Sequence, residues 1–267
     1  MPSSSEKPSN RGLGAGVLGV IPARLASTRL PRNPLIPIAG RTLIEWVWRR
    51  ASELDATEAL VVATDAREIV ETVESFGGLA VMTRADHVSG TDRVAEVAER
   101  PEFVGFDWVV NLQGDEPFLS AEAVQAAVRL VKAGWDVGTT AVPMTSLEEW
   151  RDPSAVKVVT DDEGGALYFS RAAIPHDGGG PDAAGPAGDP PLLRHIGIYA
   201  FARAALRQAT ELPKHPLEER EQLEQLRWLA AGLRIGVAVV SDGGPGIDTE
   251  DDLLRAEAIL GGRKDSR

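Results

Sequence analysis

The chain has 267 residues, 43% of them hydrophobic, enough to bury a sizeable core as one large α/β domain. It contains no cysteine, which removes disulfides, thiolate nucleophiles and sulfur-ligated zinc and fits a reducing, cytoplasmic setting. A formal net charge of -12 argues against nonspecific binding to nucleic acid, and no apolar run has the length of a signal-peptide core or a membrane span.

Residues 1–16 are expected to be a disordered start, with the folded unit running from 17 to 262. The apolar run Val17–Pro22 reads as a first strand. After it come a helix near Thr42–Leu54, a strand at Ala59–Thr64, a helix near Ala66–Phe76 and a strand at Leu79–Met82. A helix near Thr91–Ala98, a strand at Trp108–Leu112 and a helix near Ser120–Ala133 follow. This alternation predicts an α/β fold with a doubly wound, mostly parallel sheet and helices on both faces. Asp65 and Ser120 read as helix N-caps. Beyond Asp136 the rhythm changes to strands at Val137–Val142, Ala155–Thr160, Ala166–Phe169 and Ile196–Phe201. An antiparallel extension or β-rich subdomain that returns to the main sheet is therefore expected over about 137–215, with the Gly- and Pro-rich stretch Asp177–Pro191 as a mobile loop, either a lid or an expanded surface loop. A helix near Leu217–Ala231, a strand at Ile235–Val240 and a helix near Glu250–Leu260 complete the chain.

Three segments carry chemistry. The first strand runs directly into Arg24, Arg29 and Arg32, whose planar charged forks suit phosphate oxygens. The small residues Ala23, Ala26, Ser27 and Thr28 let backbone N–H groups approach the same anion. Neither the Walker pattern nor the dinucleotide G-x-G-x-x-G is present. From Arg24 to Arg50 six arginines face only Glu45, a basic mouth on an acidic chain. The second segment is Gln113-Gly-Asp-Glu, where an apolar strand emerges: Asp115 and Glu116 can hold a hard cation such as Mg2+ together with substrate phosphates, and Gly114 lets a ligand near the backbone. In the third, Thr249 and Asp252 read as a capping box, whereas Asp248 lies outside it and could complete a metal site with Asp115.

Seven motifs carry a family resemblance in order: Ile21-Pro-Ala-Arg-Leu-Ala-Ser-Thr-Arg-Leu-Pro, Met82-Thr-Arg-Ala-Asp-His-Val-Ser-Gly-Thr-Asp-Arg, Asn111-Leu-Gln-Gly-Asp-Glu-Pro, Ala155-Val-Lys-Val-Val, Ala166-Leu-Tyr-Phe-Ser-Arg, Leu193-Arg-His-Ile-Gly-Ile-Tyr and Leu223-Glu-Gln-Leu-Arg. From about Val17 to Ala258 the chain resembles the 3-deoxy-manno-octulosonate (Kdo) cytidylyltransferases. The resemblance implies a Rossmann-like, three-layer α/β/α nucleotidyltransferase, a homodimer, that converts CTP and Kdo into CMP-Kdo and pyrophosphate with Mg2+, for lipopolysaccharide or capsule synthesis. It implies that Asp115 and Asp248 hold the metal and that Arg24 and Arg29 meet the triphosphate. Arg84, Ser89 and Gly90 would close over cytosine and ribose, and Gln113 would stand between nucleotide and sugar. Arg171, His195, Tyr199, Glu224 and Gln225 would bind Kdo. The charges of Asp92, Arg93 and Arg194 fit either surface pairing or binding. One departure stands out: the family pattern Arg-Leu-Pro-Gly-Lys-Pro-Leu reads Arg32-Asn33-Pro34-Leu35 at its end here, so Arg32 is expected to reach the oxygens that the lysine would meet. A different acid sugar, such as an 8-amino Kdo or a sialic acid, and a non-catalytic nucleotide-binding relative remain alternatives.

Overall fold

The computed structural model describes residues 16–25, 32–176, 188, 191–244 and 250–262. In chain order, β1 (Gly16–Ala23) is followed by a one-turn 3-10 helix (Asn33–Leu35), the small hairpin of β2 (Pro37–Ile38) and β3 (Arg41–Thr42), and α1 (Leu43–Ser52). Next come β4 (Ala59–Thr64), α2 (Arg67–Ser75), β5 (Ala80–Met82), α3 (Gly90–Ala98), β6 (Phe106–Asn111), α4 (Ala121–Lys132) and β7 (Val137–Pro143). The second half holds α5 (Leu147–Arg151), β8 (Lys157–Thr160), β9 (Ala166–Ser170), β10 (Leu193–Ala202), α6 (Arg203–Glu211), α7 (Pro216–Glu221), α8 (Gln225–Ala230), β11 (Ile235–Val239) and α9 (Glu250–Gly262).

The main sheet has the order β11-β7-β10-β6-β1-β4-β5. β1 runs parallel to both of its neighbours, with Leu18 opposite Ala59 and Val109. β10 runs antiparallel to β6 and β7 and is the odd strand of this path. The sheet is thus mixed but mostly parallel, as the alternation predicts. Successive residues of β1 point to opposite faces, so its uninterrupted apolar run reflects cover on both sides. Val17 and Ile21 join one core with Leu43, Ile44 and Val47 of α1, while Leu18 and Val20 join a second with Val94 and Val97 of α3 and Trp228 of α8. Three layers result. No helix among the described residues is long and apolar enough to cross a membrane.

Of residues 137–215, β7 and β10 lie inside the main sheet and the antiparallel β8–β9 hairpin extends from it through β8 to β10, so the region takes the form of an antiparallel extension that returns to the main sheet. Several expectations change. Asp65 is not the cap of α2. Ala66 occupies that position without a side-chain cap bond, and the Asp65 carboxylate instead accepts from the buried Arg93 guanidinium at 3.2 Å. Ser120 does cap α4, accepting from the Ala123 N–H. The single helix expected over Leu217–Ala231 is two, parted at Gln222, which adopts a left-handed φ of 54°. α5, capped by Ser146, and α6 were not expected; Arg203 at the start of α6 anchors it by donating to the carbonyls of Ala98, Phe103 and Phe106. The anticipated disordered residues 1–15, most of the loop 177–191, and Thr249 of the expected capping box lie outside the described residues.

Candidate active site

In open α/β sheets ligands bind beyond the carboxyl ends of the strands. Here the ends of β1 and β6 and the N-terminus of α3 enclose a cavity of about 230 Å3 lined by Ala23, Arg24, Asn33, Ser89, Gly90, Arg93, Gln113 and Asp115, among others. α3 starts with a full capping box: Ser89 Oγ accepts from the Asp92 N–H at 3.1 Å, and the Asp92 carboxylate accepts from the Ser89 N–H at 3.0 Å. That assigns Asp92 to capping. It also fixes Ser89 and Gly90 at the positive end of a nine-residue helix, where anions are favoured. Arg93 is only 3% exposed, and its guanidinium donates to the Thr83 hydroxyl and the Arg84 carbonyl as well as to Asp65. It clamps the chain that leaves β5 onto α3.

Gly114 is needed for packing. A Cβ there would meet the Pro22 carbonyl oxygen at 2.6 Å, so the end of β1 packs against its backbone, and Gly114 also lines the cavity. The adjoining Gln113 side chain donates to the Gly197 carbonyl at 3.1 Å, tying the end of β6 to the irregular stretch of β10 between Ile196 and Tyr199.

A second cavity of about 280 Å3 is lined by Ser154, Ala155, Val156, Arg194, His195, Gly197, Tyr199, Leu223 and Gln225. Its walls are braced from behind. Lys157, fully buried, donates to the carbonyls of Asp152 at 2.8 Å, Ala155 at 2.6 Å and Arg171 at 2.6 Å, and burial lowers its pKa. Trp228 packs edge-on against Tyr199 and Phe201, each with ring centroids 5.2 Å apart. Close packing, helped by the Arg194 charge, pushes the His195 pKa down to about 3, so the imidazole is neutral at physiological pH. Thr139 Oγ1 donates to the Ile198 carbonyl at 2.7 Å and accepts from His195 Nε2 at 2.9 Å. That network makes His195 Nδ1 the acceptor nitrogen. Burial, with the nearby Glu224 carboxylate, raises the Tyr199 phenol well above its usual pKa.

The structure therefore gathers Ala23, Arg24, Ser89, Gly90, Gln113 and Asp115 around one cavity and His195, Tyr199 and Gln225 around the other. Four expected ligands point elsewhere. Arg84 lines a broad charged depression of about 750 Å3 beside α3 and pairs with Asp86 and Glu96. Arg32 pairs with Glu68 on α2, and it is Asn33, with a buried and unpartnered Oδ1, that lines the first cavity. The Arg171 guanidinium donates to the carbonyls of Glu221 and Pro153, at 2.9 and 3.0 Å, so it braces the fold. Glu224 accepts from Thr91 and Arg227. Ser27, Arg29 and Asp248 lie outside the described residues. His87, Leu223 and the 154–156 turn also line these cavities; His87, Leu223, Ala155 and Val156 sit inside the motifs of the resemblance, while Ser154 carries no signal in the sequence. Arg194, whose charge fits either pairing or binding, pairs with Glu149 at 2.8 Å at the wall of the second cavity.

A family model described as cytidylyltransferase matches residues 18–235. A relative from Gemmatimonas aurantiaca named 3-deoxy-manno-octulosonate cytidylyltransferase is 54% identical over 242 residues, covering 90% of this chain and 92% of its own. One from Methylobacterium radiotolerans with the same name is 49% identical and covers 92% of this chain and 98% of its own. A solved structure of CMP:2-keto-3-deoxy-manno-octonic acid synthetase complexed with CTP superimposes with a TM-score of 0.85 at 37% identity, covering 93% of this chain and all of that one. With these matches along nearly its whole length, the chain belongs to the 3-deoxy-manno-octulosonate cytidylyltransferase family.

Proposed function

We propose that this chain transfers a cytidylyl group from CTP to Kdo, giving CMP-Kdo and pyrophosphate. The observation that carries this reading is the link made by Gln113: its side chain lines the strand-end cavity and donates to Gly197, which lines the second cavity. A nucleotide in the first and a sugar in the second would meet across that carboxamide.

The Kdo anomeric hydroxyl oxygen forms a bond to the α-phosphorus, the bond to the β-phosphate bridge breaks, pyrophosphate leaves with the electron pair, and the hydroxyl proton passes to solvent. Positioning and charge stabilisation suffice, with no covalent intermediate on the protein. Arg24, exposed at the end of β1, would pair with triphosphate oxygens, and the α3 N-terminus adds partial positive charge. Arg29 and Ser27 would continue that contact. In the sugar cavity the neutral His195 offers Nδ1 to a hydroxyl proton, and Tyr199 and Gln225 offer further hydrogen bonds.

No cluster of three or more potential metal ligands occurs among the described residues. The hard carboxylate of Asp115 at the cavity wall nevertheless suits Mg2+, which takes one or two protein carboxylates and completes its shell with phosphates and water. Asp115, with Asp248 as its proposed partner, would hold the ion, which when bound neutralises phosphate charge and polarises the reacting phosphorus. We extend the proposal to a cytoplasmic homodimer. The family resemblance supports the dimer, and the cysteine-free sequence fits a reducing compartment. Sedimentation would report the oligomer.

The test is pyrophosphate release from CTP and Mg2+ with Kdo, with no sugar, and with a panel of other acid sugars. Release that depends on Kdo is expected; release with another sugar alone would change the substrate, and none with any sugar would favour a non-catalytic relative.

A further inference from the structure

Glu224 is expected from the family resemblance to contact the sugar, yet its carboxylate lies elsewhere. Oε2 accepts from the Thr91 hydroxyl at 2.8 Å, 133 residues away in sequence, and Oε1 accepts from Arg227 at 2.5 Å. Both main partners are sheltered: Thr91 is 2% exposed and Arg227 8%, and Arg227 is held in turn by Glu218. The flanking residues are what matter. Leu223 and Gln225, on either side of Glu224, line the sugar-side cavity; Ser89 and Gly90, next to Thr91, line the nucleotide-side cavity. Thr91 and Glu224 themselves line neither.

The segment carrying Glu224 is latched on its other side too. Glu221, at the end of α7, accepts from the Ser170 hydroxyl at 2.7 Å and from the Arg171 N–H at 2.9 Å. A continuous chain of hydrogen bonds and covalent turns therefore runs from β9 through Glu221 and Glu224 to the first turn of α3.

Taking the two cavities as nucleotide and sugar sites, we propose that Glu224 is a positioning residue, a strut that sets the distance between their walls through Thr91. Loosening the strut weakens nucleotide binding although the carboxylate touches no nucleotide. A residue that only contacted the sugar would have no such effect.

The test uses Thr91→Val, which keeps shape and removes the donor, with Glu224→Ala, Glu224→Gln and the Thr91→Val/Glu224→Ala double variant of the full chain. CTP dissociation constants are measured by calorimetry without sugar, with melting curves run alongside. Thr91→Val and Glu224→Ala should each weaken CTP roughly five- to tenfold, the double variant no more than Glu224→Ala alone. Glu224→Gln should restore most of the affinity, since its amide can accept from Arg227 and donate to the Thr91 hydroxyl. CTP affinity unchanged in Thr91→Val and Glu224→Ala, or additive losses in the double variant, would overturn the strut. Because no sugar or turnover is involved, this outcome is read separately from the pyrophosphate assay that tests the reaction itself.

Discussion

The two cavities are built on opposite plans. The cavity proposed for the nucleotide is formed mainly by chain that has just left a strand or is about to enter a helix, and Arg24 and Asp115 stand at its wall beside Ser89, Arg93 and Gln113, which the fold itself holds. The cavity proposed for the sugar is assembled from three separated stretches around residues 154–156, 194–199 and 223–225, with His195 held by Thr139 and Arg194 by Glu149 at its wall. A polyphosphate can be held by charge that tolerates small displacements. An array of sugar hydroxyls needs donors and acceptors fixed in direction, and on that side the bracing comes from behind the wall, from Lys157 and Trp228.

This contrast predicts where changes will be felt. The largest effect should come from Asp115→Asn, with pyrophosphate release slowed by about 100- to 1,000-fold, the scale of losing one preorganised stabiliser. A large loss of stability instead would make Asp115 a structural residue like those of the sugar side. Lys157→Met should do the reverse. It strands three carbonyls behind the sugar-side wall and should cost about 3–5 kcal/mol in urea unfolding, with KM for Kdo rising more than KM for CTP. A variant as stable as the parent would mean that those carbonyls find other partners.

Acid should also act first on the sugar side. The unfolded chain protonates His195 near its usual pKa of 6.5, whereas the folded protein keeps it neutral down to about 3. The unfolded state therefore binds the extra proton, and this contribution to stability is complete above pH 6.5 and lost as pH falls, by about 1.4 kcal/mol per unit at most. His195→Asn should flatten the unfolding free energy between pH 6 and 4 by that one-proton slope; an unchanged slope would place the titration elsewhere. The smallest effect is expected from Arg32→Ala. With its guanidinium on Glu68 and both side chains more than half exposed, CTP binding should stay within about twofold. A larger loss would show that the arginine leaves Glu68 for the triphosphate and replaces the missing family lysine after all.

Legibility in the sequence follows the same division. The parallel core was readable because β1, β4 and β6 are apolar runs bounded by turn residues, and Ala59–Thr64 ends where expected. Gln113 and Asp115 were readable because the sharp switch from apolar to polar marks a strand end. The break at Gln222 was not, since Glu218 to Arg227 is composed throughout of residues that favour helix or tolerate it. It is imposed by contacts far away in sequence, Glu221 on β9 and Glu224 on α3. Asp65 failed as a cap for a related reason: a buried arginine outcompetes an exposed helix N–H for its carboxylate. Local pattern cannot announce a partner that only folding brings near.

The position of β1 has a kinetic consequence. Its backbone is hydrogen-bonded to a parallel strand on each side and its apolar side chains are covered on both faces, whereas β5 is a three-residue strand at the edge. Amide protons of Val17 to Ile21 should exchange with solvent only when the whole chain unfolds, while those of β5 escape by local fraying. The floor under Arg24 is therefore the last part of the molecule to open.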